Sequence, residues 1–390
     1  MPRAGSVKWY KKKESIYTIL GVFAIATTFI LISCFAFGFG QQSNGPRTLQ
    51  LISVIFRHGD RNPTHFYPND PYKDLSYWPD GLGALTKEGK KQMYKLGKFL
   101  RRRYQGFISD KYYQDDLYTF SSDHDRCLMS AQVCLAGLYP PIEDQIWNDD
   151  INWQPIPVHT IPRNLDKLIV VKKPCPMYDK ELNETYYNEF FIKINEDNND
   201  LYKYLTKHTG SQINSLTAVE SLFNTLEVED KMKLKLPDWT KKYFNKMKEL
   251  AMLNLASLTF TPISKKLKGG PLIKEVVQHM SQRILGLKQP SKKIYLYSSH
   301  DVTLISVLRA LGIEDIDKPD YGSSIIFELH QKLTDGDHFV KLLYLNNTEQ
   351  TDPVDLRIPQ CGEDECKLKD FITITKPLVP TNWEDECQIS

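Results

Sequence analysis

The chain has 390 residues, enough for one large domain or two modest ones, and its hydrophobic (41%) and charged (25%) fractions are ordinary for a globular protein. Its formal charge of +2 comes from the first forty residues, where Arg3, Lys8, Lys11, Lys12 and Lys13 face only Glu14, so the remainder is slightly acidic. That balance argues against a nucleic-acid partner, which would favour a basic face.

Residues 16–39 carry no charged side chain. As a helix they would span roughly 36 Å, long enough to cross a bilayer. The basic flank lies on their amino-terminal side, which puts the large remainder on the lumenal or extracellular side. Two readings stay open for residues 1–40: an uncleaved signal anchor, which suits the length, or a signal peptide cleaved near the small residues at 34–38. Either way the chain is expected in the secretory pathway, secreted or anchored through residues 16–39.

An apolar run at 51–56 follows and ends abruptly in Arg57, His58, Gly59, Asp60 and Arg61. Guanidiniums grip phosphate oxygens through paired hydrogen bonds, and an unprotonated imidazole nitrogen is a good nucleophile. Histidine attack on a phosphoryl group held by arginines is one reading of this turn; a solvated basic loop is the other. Thr86 is placed to cap a helix running to Tyr104, with Met93, Leu96 and Leu100 near helical spacing. A second strand, 117–120, leads through a polar turn at 121–125 into a helix bearing Leu128, Val133, Leu135 and Leu138. The proline-rich stretch 153–162 should be extended. Residues 178–285 show helical patterns, for example 239–258 and 271–285, with Gly269-Gly270 as a turn between helices. A third strand, 294–297, leads through 298–301 into a helix bearing Leu304, Val307, Leu308 and Leu311.

Strands interleaved with helices predict an α/β fold: a mostly parallel central sheet flanked by helices on both faces, with a smaller, mainly helical insertion domain. Residues 49–177 and 287–387 form the expected core, and 178–286 the helical cap. Ligands of such sheets bind beyond the carboxyl ends of the strands, and all three polar turns lie at that end. The histidines and cysteines make no convincing metal constellation, and no cofactor is expected. Arginines must then neutralise a bound phosphate, with Arg126 a third candidate. Taken alone, His300-Asp301 also reads as a helix start with a favourable acidic residue. Cys127 and Cys134 lie too far apart along one helix to bridge. The sequons at Asn183 and Asn346 are candidate glycan acceptors.

RHGDRNPT resembles the RHG-x-R-x-P signature of the histidine acid phosphatases, within the histidine phosphatase superfamily. SSDHDRCLMSA (121–131), WQPIPVHT (153–160), LKGGPLIKEVVQHM (267–280), YLYSSHDVT (295–303) and NWEDEC (382–387) are similar to the prostatic and lysosomal acid phosphatase type. The resemblance spans nearly everything past the hydrophobic segment. It implies hydrolysis of small phosphate monoesters: His58 attacks phosphorus to form a phosphohistidine, Arg57, Arg61, Arg126 and His300 surround the phosphoryl oxygens, and Asp301 protonates the leaving alcohol. It also implies Cys175–Cys387 and Cys361–Cys366 disulfides and a homodimer, although no interface signature is legible. A more selective relative, such as a phytase or a lysophosphatidic-acid phosphatase, is the nearest alternative. A catalytically dead ectodomain would show damage at the key positions, and all six are intact.

Overall fold

In the computed structural model, which describes residues 47–287, 292–361 and 366–389, the first apolar run forms β1 (Arg47–Arg57). Parallel partners β2 (Leu117–Ser121) and β3 (Ile294–Ser299) lie to one side, in the order β2-β3-β1. On the other side β4 (Ser324–Lys332) and β5 (His338–Leu345) pair antiparallel, and the short β6 (Val354–Asp355) and β7 (Cys366–Lys367) both add to β5. The α/β class agrees with the sequence reading. The sheet is mixed rather than mostly parallel, because parallel pairing is confined to β2-β3-β1. Contact with β4 also extends β1 back to Arg47, through polar residues that no apolar pattern marks.

Helices cover both faces because β1 is apolar on both. Leu51 and Ile55 point into one core with Leu304, Val307 and Leu308 of α10 (Asp301–Ala310) and Leu272, Ile273 and Val276 of α9 (Gly270–Leu285). Ile52, Val54 and Phe56 point into the other, against Met93, Leu96 and Leu100 of α1 (Lys87–Arg103) and Ala131, Leu135 and Leu138 of α2 (Asp125–Leu138). Each such side chain, fully buried, contributes roughly 1.5–3 kcal/mol. The two-residue period of a strand explains the split, and double burial explains the unbroken apolar run. Thr86 caps α1 by accepting the Gly89 N–H at 3.0 Å.

Between α2 and β3 the chain is helical: α3 (Pro176–Tyr186), α4 (Glu189–Asp197), α5 (Asn199–Thr209), α6 (Leu216–Lys231), α7 (Phe244–Ser257) and α8 (Pro262–Lys268), then α9. Helices α4 to α7 share their own core, which Tyr67 joins from the loop after β1. Trp239 sits in a 3-10 turn ahead of α7 rather than in the helix expected at 239–258. It packs there edge-on against Tyr67 and parallel to His208. Disulfides join Cys175 to Cys387, just past α12 (Trp383–Glu386), and Cys361 to Cys366, ahead of α11 (Leu368–Thr375). Cys127 and Cys134 are free and buried. Among the described residues no helix is long and apolar enough to cross a membrane; the hydrophobic segment 16–39 lies outside them.

Candidate active site

The three parallel strands end in one row. Ser121 of β2 is opposite Ser298 of β3, which is opposite Phe56 of β1, which faces Ser324 at the start of β4. The residues just beyond this row are Ser122, His300, Arg57, His58 and Tyr321. Helices α2 and α10 both start there, so their positive dipole ends face the same space.

The backbone at Arg57-His58 is pinned from both sides. Arg57 N–H donates to Ser323 O at 2.9 Å, His58 N–H to Ser299 O at 3.0 Å, and Gly322 N–H to His58 O at 3.2 Å. Gly59 then passes against the first turn of α1. A Cβ at Gly59 would lie 2.4 Å from Gly89 O, and one at Gly89 would lie 2.2 Å from Asp60 O. Both contacts are with backbone, which cannot swing aside. Gly59→Ala is therefore expected to cost about 1–3 kcal/mol in denaturant unfolding and to lower turnover by displacing His58. Unchanged midpoint and activity would show that the turn has room. Asp60 serves the same turn: its N–H donates to Gln92 Oε1 at 2.8 Å and its carbonyl accepts Thr86 N–H at 2.9 Å.

His58 is 3% exposed. Its Nδ1 lies 2.9 Å from Gly59 O, and a carbonyl only accepts, so Nδ1 carries the proton. Nε2 is left with its lone pair, toward which Arg126 Nε–H points at 3.1 Å. Burial, then the charges of Arg126, His300, Arg57 and Arg61, hold the His58 pKa well below the ordinary histidine value. Burial and the surrounding cations thus favour the neutral imidazole.

Three guanidiniums come from three places. Arg57 Nη1–H donates to Pro319 O at 2.7 Å, Nη2 pairs with Asp301 Oδ2 at 2.9 Å, and the group lies 3.9 Å from the Tyr321 ring centroid. Arg126, in the first turn of α2, also reaches His300 Nδ1 through Nη2 at 3.4 Å. Arginine only donates, so His300 Nδ1 accepts and Nε2–H donates to Ser122 Oγ at 3.0 Å. Burial and Arg126 push the His300 pKa well down. Arg61 is half-buried, with Nη1–H donating to Asn62 O at 3.0 Å, and its charge acts on both His58 and Arg126. The His58 and His300 rings are 5.4 Å apart.

Burial works against the Asp301 carboxylate, yet Arg57, Lys318 and the Val302 N–H outweigh it and hold its pKa well below the usual range. These contacts favour the Asp301 carboxylate. Alongside the six residues chosen from sequence stand Tyr321, Ser122 and Lys318, which sequence reasoning missed. Tyr321 sits in the irregular segment before β4, a strand whose pattern is itself weak. Beside Arg126 opens a cleft lined by Thr64, Leu82, Lys90 and His124. Among the described residues no group of three or more His, Cys, Asp or Glu side chains is arranged to hold a metal. Asn183 and Asn346 lie elsewhere, both exposed.

The chain is similar to known proteins. The model of the histidine phosphatase superfamily (branch 2) matches residues 48–345. Lysosomal acid phosphatase of Rattus norvegicus is 35% identical over 349 residues, covering 88% of this chain and 81% of its own length. Prostatic acid phosphatase of the same species is 36% identical over 375 residues, covering 95% and 96%. Among solved structures, the apo phytase of Hafnia alvei aligns with a TM-score of 0.67 at 17% identity, over 90% of this chain and 100% of that one, a likeness of fold alone.

Proposed function

The chain belongs to branch 2 of the histidine phosphatase superfamily, and from that premise we propose that His58 is the phosphate acceptor and Asp301 the proton donor of its reaction. The protein is an acid phosphatase that hydrolyses phosphate monoesters through a phosphohistidine intermediate. The observation that carries the residue assignment is a buried, neutral His58 with Nδ1–H tied to Gly59 O and Nε2 facing the guanidinium of Arg126.

Phosphoryl transfer needs in-line positioning and neutralisation of the equatorial oxygens. Arg57, Arg61 and Arg126 supply that charge, aided by the starts of α2 and α10. A bound phosphate draws Arg126 away from Nε2 and frees the lone pair. It also competes with Asp301 for Arg57, and its own negative charge favours the protonated carboxyl. Nε2 then bonds to phosphorus as the ester P–O bond breaks, and Asp301 gives its proton to the leaving oxygen. In the second half Asp301 takes a proton from water, the water oxygen bonds to phosphorus, and the P–N bond breaks to return neutral His58.

If every substrate passes through one phosphoenzyme, an added alcohol must compete with water at the same ratio whatever leaving group departed. Adding methanol to assays of nitrophenyl, glycerol and tyrosine phosphates is expected to give one common ratio of methyl phosphate to inorganic phosphate. Ratios that vary with the leaving group would contradict a shared intermediate.

The disulfides and the acid phosphatase relatives support a protein of the secretory pathway. Residues 16–39 supply its leader, as signal or anchor, and the exposure of Asn183 and Asn346 supports glycan attachment there. Within the helical segment 178–286, the helices α4 to α7 with their own core act as a cap over the leaving-group side, while α9 packs on the sheet.

A further inference from the structure

We propose that Lys318 is a positioning residue for Arg57, fastening the segment 318–321 to α6 so that this segment holds the guanidinium in place. The inference rests on the reading of Arg57 as a phosphate ligand. Four consecutive side chains or carbonyls in 318–321 are engaged, alternately toward α6 and toward the site. Lys318 Nζ donates to Asn224 Oδ1 at 2.7 Å and to Glu227 Oε2 at 2.5 Å, both on α6. Pro319 O accepts from Arg57 Nη1 at 2.7 Å. Asp320 pairs with Lys231 at the end of α6, at 2.5 Å, and its Oδ1 also accepts the Tyr321 N–H at 2.8 Å. Tyr321 lies under Arg57, with its ring 5.7 Å from that of His58.

The segment belongs to neither α10 nor β4; bonds from Gly322 N–H to His58 O and from Ser323 to Asp320 O hold its carboxyl-terminal end, while its start, which carries Pro319 O, needs a further anchor. The ties to α6 supply it. The Lys318 side chain is 2% exposed and that of Glu227 18%. A buried ammonium is costly unless fully paired, and two apolar side chains would fill such a position at least as stably. What the ion pair supplies here is a fixed point. Arg57 needs one because its two terminal nitrogens are pulled apart in function: Nη2 must leave Asp301 for phosphate while Nη1 stays on Pro319 O. A planar guanidinium stacked on a tyrosine and held at one nitrogen keeps its donors aimed. A displacement of about 1 Å in such a group is enough to cost on the order of 10²-fold in rate.

A role acting through Arg57 differs measurably from general support of the fold. Lys318→Met combined with Glu227→Gln removes both charges, leaving neither buried alone. Inorganic phosphate binding by calorimetry and kcat/KM for one monoester are measured for this pair in the native and Arg57→Ala backgrounds. The expected result is about a tenfold loss of both quantities in the native background, and less than a twofold change in phosphate affinity once Arg57 is absent, because effects routed through one group are not additive. The milder pair Lys231→Met with Asp320→Asn, at the exposed end of the same tie, is read by the same criterion and decides the matter if the first does not fold. Equal losses in both backgrounds, or a lowered melting temperature with native phosphate affinity, would overturn the proposal. Calorimetry needs no turnover: a native chain that binds phosphate without hydrolysing esters would sink the proposed function, while the Arg57 dependence would still judge this inference.

Discussion

Replacing His58 by alanine is expected to lower kcat by roughly 10⁴- to 10⁶-fold, the range seen when an enzyme loses its covalent nucleophile. No neighbour stands ready to replace it. His300 is anchored by its Nε2–H to Ser122 Oγ at 3.0 Å, and its ring stands 5.4 Å from the one it would have to replace. Burial holds the Cys127 thiol at a pKa of about 12, keeping it from being a thiolate. Phosphate affinity should survive, because the three arginines remain. Stability should respond in a direction set by linkage. The folded-state pKa of His58 is lowered, so burying it neutral contributes stability that is complete above about pH 6.5 and is lost as pH falls toward the folded value. His58→Ala should therefore lose less stability on acidification than the native chain, as unfolding curves taken between pH 7 and 4 would reveal. Native turnover by the variant would remove the nucleophile assignment.

Asp301→Asn is expected to cut turnover of alkyl phosphates by roughly 10²- to 10⁴-fold, the usual worth of general acid catalysis. Nitrophenyl phosphate should lose far less, since its leaving group departs without a proton. Asparagine keeps the size and the Val302 contact but neither gives up a proton nor pairs ionically with Arg57. Freed from the 2.9 Å ion pair, Arg57 should bind phosphate at least as tightly, so KM should hold or fall while kcat drops. The pH profile carries a second signature. With substrate bound, the donor must be protonated, so the native kcat declines as pH rises through the Asp301 value in the complex; the variant should lack that limb. Equal losses with good and poor leaving groups would argue that Asp301 acts only by holding Arg57.

Much of this site was legible in the sequence because its parts are local. Arg57 and His58 directly follow an apolar run that must be buried on two faces, and His300-Asp301 follows another. A strand's end and a helix's start are both readable signals. Thr86 announced α1 by the same kind of local pattern. What was hidden depends on distant partners. β4 contains Glu328, His330 and Lys332, which blur its alternation, and it is a strand because β1 and β5 flank it. Glu328 is tolerated inside because Arg103 and the Tyr104 hydroxyl bond it, both at 2.8 Å. Lys318 and Tyr321 lie in an irregular segment that no sequence pattern marks. Their meaning lies in α6 and in Arg57, some hundred and some two hundred and sixty positions away along the chain.

The direct trial of the whole account is to catch the phosphorylated enzyme. Native protein mixed with a ³²P-labelled monoester and quenched in alkali within milliseconds is expected to carry acid-labile label on the single peptide containing His58, at Nε2 of its ring. Label on any other residue, or rapid turnover with no trapped label and inversion at phosphorus, would contradict it.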